Sequence, residues 1–354
     1  MKYSPQKIQS ENQPSPFSAY NSNLQVMWDS TSLAWLKKCP RYYELRMLEG
    51  LETKRGSIHL TFGIIYHEAL ETYDKLRAHG EEHHSAQRAA ARKALEDSVI
   101  YYDAKICQNC GQQWNAEEER TQCPGCGDDP PEETSTLWVD NLRDFKEKGR
   151  EQLVRTIIWY TDQFRQNPLN ALTLSNGEPA VELSFTIPLD SVNKYNEQHH
   201  LRGHIDMIAR HDDGGLFVLD RKSTKSTLYD SYFDGFSPGN QVTLYTLSGK
   251  LILGEQIQGL IIDAAQVAVN FSRFQRGYIN RTQSQLDEWL QDFDLWMQLA
   301  ELYAERGHWP QQEEACNLYG GCPFRAICGR SPEVRQSIIE NDYVRRPWNP
   351  AINR

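Results

Sequence analysis

The spacing of hydrophobic positions in this chain changes near residue 178. Before that point the pattern is helical. "DSTSLAWLKKCPRYYEL" opens with N-cap candidates ahead of a short apolar-periodic run that Pro40 should end or kink. "TFGIIYHEALETYDKL" sets apolar side chains at 62, 65, 66, 69, 70 and 73, one face of a helix. "SAQRAAARKALEDSVIYYDAK" is alanine-rich and predicts a second helix, and a third is expected across 135–166, with "LVRTIIWYTDQF" as its most apolar part.

Beyond 178 the period falls to two. "PAVELSFTIPL" alternates Val181, Leu183, Phe185 and Ile187 with Glu182, Ser184 and Thr186, the signature of a half-buried strand on which Glu182 reads as solvent-facing. "HLRGHIDMIAR" and "GLFVLDRKS" predict two more strands joined by the hairpin turn "HDDGG". After an irregular loop, "DSYFDGFSPG", come a helix from about Asn240, a strand over "IQGLIIDAAQVA", and the amphipathic helix "QLDEWLQDFDLWMQLAELYAERG", closed by Gly307.

The strand "GLFVLDRKS" carries four apolar residues and then Asp220, Arg221 and Lys222. Asp220 and Lys222 are two apart on a strand and leave the same face. If the preceding turn is the three-residue loop 212–214, Asp206 lies opposite Asp220. A two-residue turn would set it opposite Arg221 instead. The reading adopted is the odd loop, with Gly214 at the left-handed position. Two carboxylates side by side on a buried face repel each other, and a hard divalent cation such as Mg²⁺ or Mn²⁺ relieves the conflict. Such an ion would polarise a phosphodiester and acidify water, with Lys222 steadying the developing charge. The bland alternative is a solvated Asp220–Lys222 pair where the strand emerges.

Composition changes this picture only in part. The chain has 354 residues, 39% of them hydrophobic, and a formal net charge of -10. An acidic balance argues against a protein that coats nucleic acid electrostatically, and less against an enzyme whose carboxylates hold cations. No uncharged apolar run has membrane-spanning length, and the polar N-terminus lacks a signal-peptide pattern, so a cytoplasmic protein (or one in the host cytoplasm, if phage-encoded) is expected. Eight cysteines in such a chain point to metal ligation rather than disulfides. Cys107, Cys110, Cys123 and Cys126 form C-x2-C-x12-C-x2-C, and each pair is followed by glycine. Four soft ligands at this spacing suit structural Zn²⁺ in a ribbon inserted between two helices. Glu117, Glu118 and Glu119 make that ribbon unattractive to phosphate and favour a protein-docking role.

"GHID" at 203–206, "LDRKS" at 219–223 and "QVTLY" at 241–245 stand in an order and spacing that resembles the PD-(D/E)XK nuclease superfamily, and its RecB-like branch most. That branch includes the CRISPR-associated adaptation nucleases and phage-borne relatives. The resemblance implies that Asp206 and Asp220 are metal ligands, that Lys222 is the catalytic lysine, and that Gln241 and Tyr245 form the Q-x-x-x-Y helix motif. "FGIIYH" resembles the branch's upstream helix and implies His67 as a further ligand, with Gly63 one turn earlier on the same face. "SLAWLKKCPRYY" and "CNLYGGCPFRAIC" resemble its cysteine clasp, implying a [4Fe-4S] cluster on Cys39, Cys316, Cys322 and Cys328. The C-x5-C-x5-C spacing departs from the commoner one, which leaves a second zinc or unmetallated core cysteines as alternatives.

The fold expected is therefore α/β, a restriction-endonuclease-like mixed sheet flanked by helices. Its predicted divisions are a disordered leader (1–28), a helical region (29–105), a zinc-ribbon insertion (106–130), a second helical region (131–177), the nuclease core (178–307), an iron–sulfur clasp (308–330) and a tail (331–354). The function implied is Mg²⁺- or Mn²⁺-dependent hydrolysis of DNA, as an exonuclease on single strands or ends in recombination, repair or phage DNA metabolism. No membrane partner is expected. The competing readings are a catalytically silent nucleic-acid-binding or assembly module on the same fold, and a scaffold whose cysteines all hold zinc.

Overall fold

The computed structural model describes residues 15–53, 57–102, 104–106, 113–115, 122–123, 125–127, 148–254 and 256–352. In chain order, β1 (Met27–Trp28) leads into α1 (Ser30–Lys38) and α2 (Pro40–Tyr43), then β2 (Leu51–Thr53), α3 (Ile58–Ala78), α4 (His83–Tyr102), β3 (Ala104–Ile106) and β4 (Gln113–Asn115). After these come α5 (Arg150–Gln163), β5 (Leu169–Ala171), β6 (Val181–Val192), β7 (Gln198–His211) and β8 (Leu216–Thr224). The chain continues through α6 (Asp230–Asp234), α7 (Asn240–Leu253), β9 (Ile257–Val267), β10 (Ser272–Ile279), α8 (Gln283–Arg306), α9 (Arg325–Cys328), α10 (Pro332–Asp342) and β11 (Tyr343–Arg345).

Seven strands make one mixed sheet, ordered β1-β7-β8-β9-β10, with β5 and β6 also pairing with β7. β6, β7 and β8 are antiparallel neighbours, whereas β8 and β9 run parallel, so the chain must cross over through α6 and α7. One face carries the large core: Ile208, Val218, Leu260, Ile262 and Ala264 pack with α1, α7 and α8. The other face is covered by α3, α4 and α5, whose Phe62, Ile65, Ala69, Ile157 and Tyr160 meet Ala265 and Val267. The mixed α/β architecture, a central sheet flanked by helices, agrees with the fold expected from the sequence.

Caps lie where the sequence puts them. Asp29 accepts from the Ser32 amide at 2.8 Å and starts α1, while Pro40 separates α1 from α2. α8 ends on Gly307 at φ 57°.

Two boundaries differ from expectation. Residues 24–28 of the supposed leader are buried, with Leu24 at 1% and Trp28 at 0% exposure, and β1 pairs with β7. The polar average over that stretch conceals the short apolar segment "LQVMW". The expected tail also packs home. β11 pairs with β2, Trp348 donates to Asp29 at 3.0 Å, and Arg202 donates to the Pro350 carbonyl at 3.0 Å. Of the helix expected over 135–166, residues 150–163 are helical and 128–147 lie outside the described residues. Among the described residues no helix is long and apolar enough to cross a membrane.

Candidate active site

The hairpin between β7 and β8 sets the register of the site. His211 N–H donates to the Gly215 carbonyl and Gly214 N–H to that of His211, both at 2.8 Å, and Gly214 has φ +95°. This is the three-residue turn, and the ladder then runs from Arg210↔Leu216 to Met207↔Leu219. One step further, Asp206 faces Asp220. There the backbone pairing stops, and the Arg221 N–H donates to Asp206 Oδ2 at 2.6 Å instead of to a carbonyl.

The alternation of the sheet also breaks at this point. Leu201 and Ile205 pack into the large core, while Met207 and Ala209 pack into a separate small cluster with Val181, Leu219 and Ile261. Across β7 from Asp206, between the pairs Val181↔Met207 and Leu183↔Ile205, stands Glu182, at φ 52°. A non-glycine residue in the left-handed region is uncommon. Here it turns Glu182 away from the solvent face that simple alternation assigns to it. Glu182, Asp206 and Asp220 therefore stand in one row on three adjacent strands.

His67 completes the approach from α3. Its Nδ1 lies 3.4 Å from Asp206 Oδ1, and one ligand atom each from His67, Glu182 and Asp206 lie within 4.8 Å of one another. Asp220 stands beside this group with Oδ2 2.6 Å from Lys222 Nζ. α3 lies against β8 at Gly63, but the approach does not require glycine, since a Cβ there would sit 3.7 Å from Ser223 Oγ, an ordinary contact. The two aspartates are pushed apart in acidity. Burial raises Asp206, but His67, Lys222 and the Arg221 N–H outweigh it and hold the carboxyl well below the usual range. Asp220 is raised, first by burial and also by the charge of Asp206, against the pull of Lys222.

Gln241 and Tyr245 lie one turn apart on α7 and hydrogen-bond to each other. Tyr245 is buried with its ring edge-on to Phe185 at 6.3 Å, and burial and the charge of Asp220 raise its hydroxyl. The "GHID" glycine permits this packing, because a Cβ on Gly203 would lie 2.8 Å from the Phe185 ring. The residues named from the sequence thus come together. Glu182 is the addition, and its signal was its position opposite Asp206, obscured by its place in a polar-looking alternation.

The other predicted sites are farther off. Cys39, Cys316, Cys322 and Cys328 line one small cavity, none in a disulfide. No three of their sulfurs lie within 4.8 Å of one another. Burial pushes the Cys328 thiol up to about 11 and raises Cys322. Of the four cysteines expected to form a ribbon, Cys107 and Cys110 lie outside the described residues. Cys123 accepts from the Gly125 N–H at 3.3 Å, with Cys126 exposed nearby.

A structure from Eubacterium rectale named as a candidate exonuclease is 12% identical, with a TM-score of 0.42, and the match covers 88% of this chain and 92% of that one. No curated protein matches the chain. Residues 30–329 match the sequence profile of the PD-(D/E)XK nuclease superfamily, nucleases that use divalent metals, and the chain belongs to that superfamily.

Proposed function

We propose that this protein is a divalent-cation-dependent deoxyribonuclease, acting as an exonuclease on single strands or DNA ends and closest in design to the RecB-like branch. The observation that carries the reading is the row Glu182, Asp206 and Asp220 across β6, β7 and β8, its two aspartates buried, beside one lysine and one histidine. The two buried aspartates against Lys222 leave negative charge in excess, and hard oxygen ligands suit Mg²⁺ or Mn²⁺. Glu182, Asp206 and His67 would hold the ion, with Asp220 sharing it. When bound, the cation supplies charge neutralisation, polarisation of the phosphodiester and acidification of water. Hydrolysis adds water to phosphorus and breaks the bond to the leaving oxygen, which takes up a proton. Lys222 is aimed by Asp220 to steady the negative charge that builds up at phosphorus. Tyr245, held by Gln241, limits the pocket on the α7 side and orients the lysine or the strand.

The clasp cysteines Cys39, Cys316, Cys322 and Cys328 would hold a [4Fe-4S] cluster that staples the first helices to the C-terminal segment. A mononuclear zinc site, with Zn–S near ~2.3 Å, needs sulfurs only about 4 Å apart. What supports a shared group is that the four cysteines line one small cavity. A colourless, zinc-only anaerobic preparation would exclude the cluster. Cys107, Cys110, Cys123 and Cys126 would hold a structural zinc, on a ribbon suited to docking another protein.

Labelled single- and double-stranded DNA with Mg²⁺ or Mn²⁺ tests the nuclease reading. Wild type should shorten the strands from an end, and Lys222→Ala should not. Equal behaviour of the two proteins, or no cleavage with either cation, would leave a silent binding module on the same fold.

A further inference from the structure

A second cleft opens beyond the carboxylate row. It has a volume of about 320 Å³ and is lined by Gln163, Thr227, Tyr229, Gln266, Arg273 and Gln275 among others. That volume is within the usual range for small-molecule sites, roughly 300–1,000 Å³.

Its position follows from strand register. Lys222 pairs with Ala264 on the parallel strand β9, and Gln266 is two residues further along. Lys222, Ala264 and Gln266 therefore share one face, with Gln266 about 7 Å beyond the lysine at ~3.3 Å per residue. Arg273 and Gln275 pair with Gln266 and Ala264 from β10 and continue the same face. The rim is tied to the end of β8: Tyr232, whose N–H donates to the Tyr229 carbonyl at 2.9 Å, also hydrogen-bonds Thr224.

The lining has a definite chemistry. Gln266 is 5% exposed, and its Oε1 is buried without a hydrogen-bond donor among the described residues. A buried acceptor without a donor is costly, about 1–3 kcal/mol, and natural proteins seldom leave one without a reason. Tyr229 presents an exposed ring, at 69%. Arg273 lies over the Phe271 ring at 4.9 Å at the cleft margin. Among the described residues no carboxylate lines the cleft. Amides, hydroxyls, the aromatic rings of Tyr229 and Phe274 and one cation suit a flat, neutral heterocycle that carries N–H donors and is attached to a phosphate.

We propose that this cleft takes an unpaired nucleobase of the substrate strand, next to the nucleotide whose phosphate reaches Lys222. The base stacks on Tyr229 and donates an N–H to Gln266 Oε1, while Arg273 meets the adjoining phosphate. A base paired in a duplex cannot enter, so the cleft selects single-stranded ends. This deepens the nuclease reading and rests on it.

The test uses the full-length protein as Gln266→Leu and Tyr229→Ala, with Mn²⁺. Rates are measured on a single-stranded oligonucleotide and on bis(p-nitrophenyl) phosphate, a diester without a base. The ratio of kcat/KM on DNA to that on the base-free diester should fall about tenfold in each variant, through lost stacking in Tyr229→Ala and a lost hydrogen bond in Gln266→Leu. Gln266→Leu should melt no lower than wild type, because it removes an unsatisfied buried oxygen. Unchanged ratios in both variants would overturn the proposal, as would a lowered melting temperature in Gln266→Leu with no effect of Tyr229→Ala.

If wild type hydrolyses neither substrate, the nuclease reading itself fails. The cleft is then judged by anisotropy with a labelled strand in Ca²⁺, intact or carrying abasic sites. A preference for the intact strand that both variants lose supports a base pocket, and no preference in wild type refutes it.

Discussion

Asp220, Arg221 and Lys222 are consecutive on one strand, yet they serve two opposite charge clusters. On the α3 and α5 side, Arg221 is buried against Asp74 and lies over the Tyr160 ring at 5.9 Å. Tyr160 donates to Asp263, which also meets Arg276 at 3.3 Å, and Arg276 donates to Asn167 at 2.7 Å. Two aspartates balance two arginines. Burial works against the charge of Arg221, but Asp74, Tyr160 and Asp263 more than restore it. On the other side, among the described residues, the carboxylates outnumber the cations: Asp206 and Asp220, with Glu182 in the same row, face Lys222 and a histidine. A closed network stiffens a sheet, whereas an open one calls for a cation. The two are linked, because the Arg221 amide holds Asp206 while its guanidinium is anchored to Asp74.

Breaking the open cluster should have the largest effect. Asp220→Asn and Glu182→Gln are each expected to lower the rate of DNA cleavage by about 10³-fold, the order seen when a group stabilising the transition state is removed. Neither should lower the melting temperature of metal-free protein, since each removes a repelling charge. A variant that loses stability along with activity would move its residue into the structural cluster.

The closed cluster should respond in the opposite way. Asp74→Ala leaves Arg221 buried without its partner, and urea unfolding should show a loss of about 3 kcal/mol. The variant should also bind cation more weakly, because the Arg221 amide that aims Asp206 is no longer braced. Undiminished stability would show that Asp74 does not hold the arginine.

A smaller effect comes from a buried titratable group outside both clusters. His199 is 2% exposed and edge-on to Phe293, and burial lowers its pKa to about 4. The unfolded chain, with an ordinary histidine near 6.5, binds the extra proton between those values. Stability should therefore fall as pH drops from about 6.5 to about 4, by roughly 3 kcal/mol, and this group adds no pH dependence above that window. His199→Phe should flatten the profile there. An unchanged slope would assign the acid sensitivity to other groups.

Much of this arrangement could be read from the chain. Of the two turn lengths that "HDDGG" allowed, the three-residue loop adopted from the sequence is the one observed, and it sets Asp206 opposite Asp220 because turn length sets register. Glu182 escaped because a left-handed backbone at a non-glycine position leaves no mark in an alternating pattern. Arg221 looked like a bystander between two functional residues. Its partner Asp74 lies 147 residues earlier, on a helix whose packing against the sheet no local pattern encodes. Residues 24–28 were assigned to a disordered leader because their few apolar side chains sit inside a polar stretch, and only the folded surface shows what they cover.

The difference between the two clusters can be measured directly by Mn²⁺ binding, followed by the loss of its free-ion electron paramagnetic resonance signal. One saturable site is predicted in wild type, retained in Asp74→Asn at weakened affinity, and abolished in Asp206→Asn. No saturable site in wild type, or full binding by Asp206→Asn, would contradict the claim that the carboxylate row is built to hold a cation.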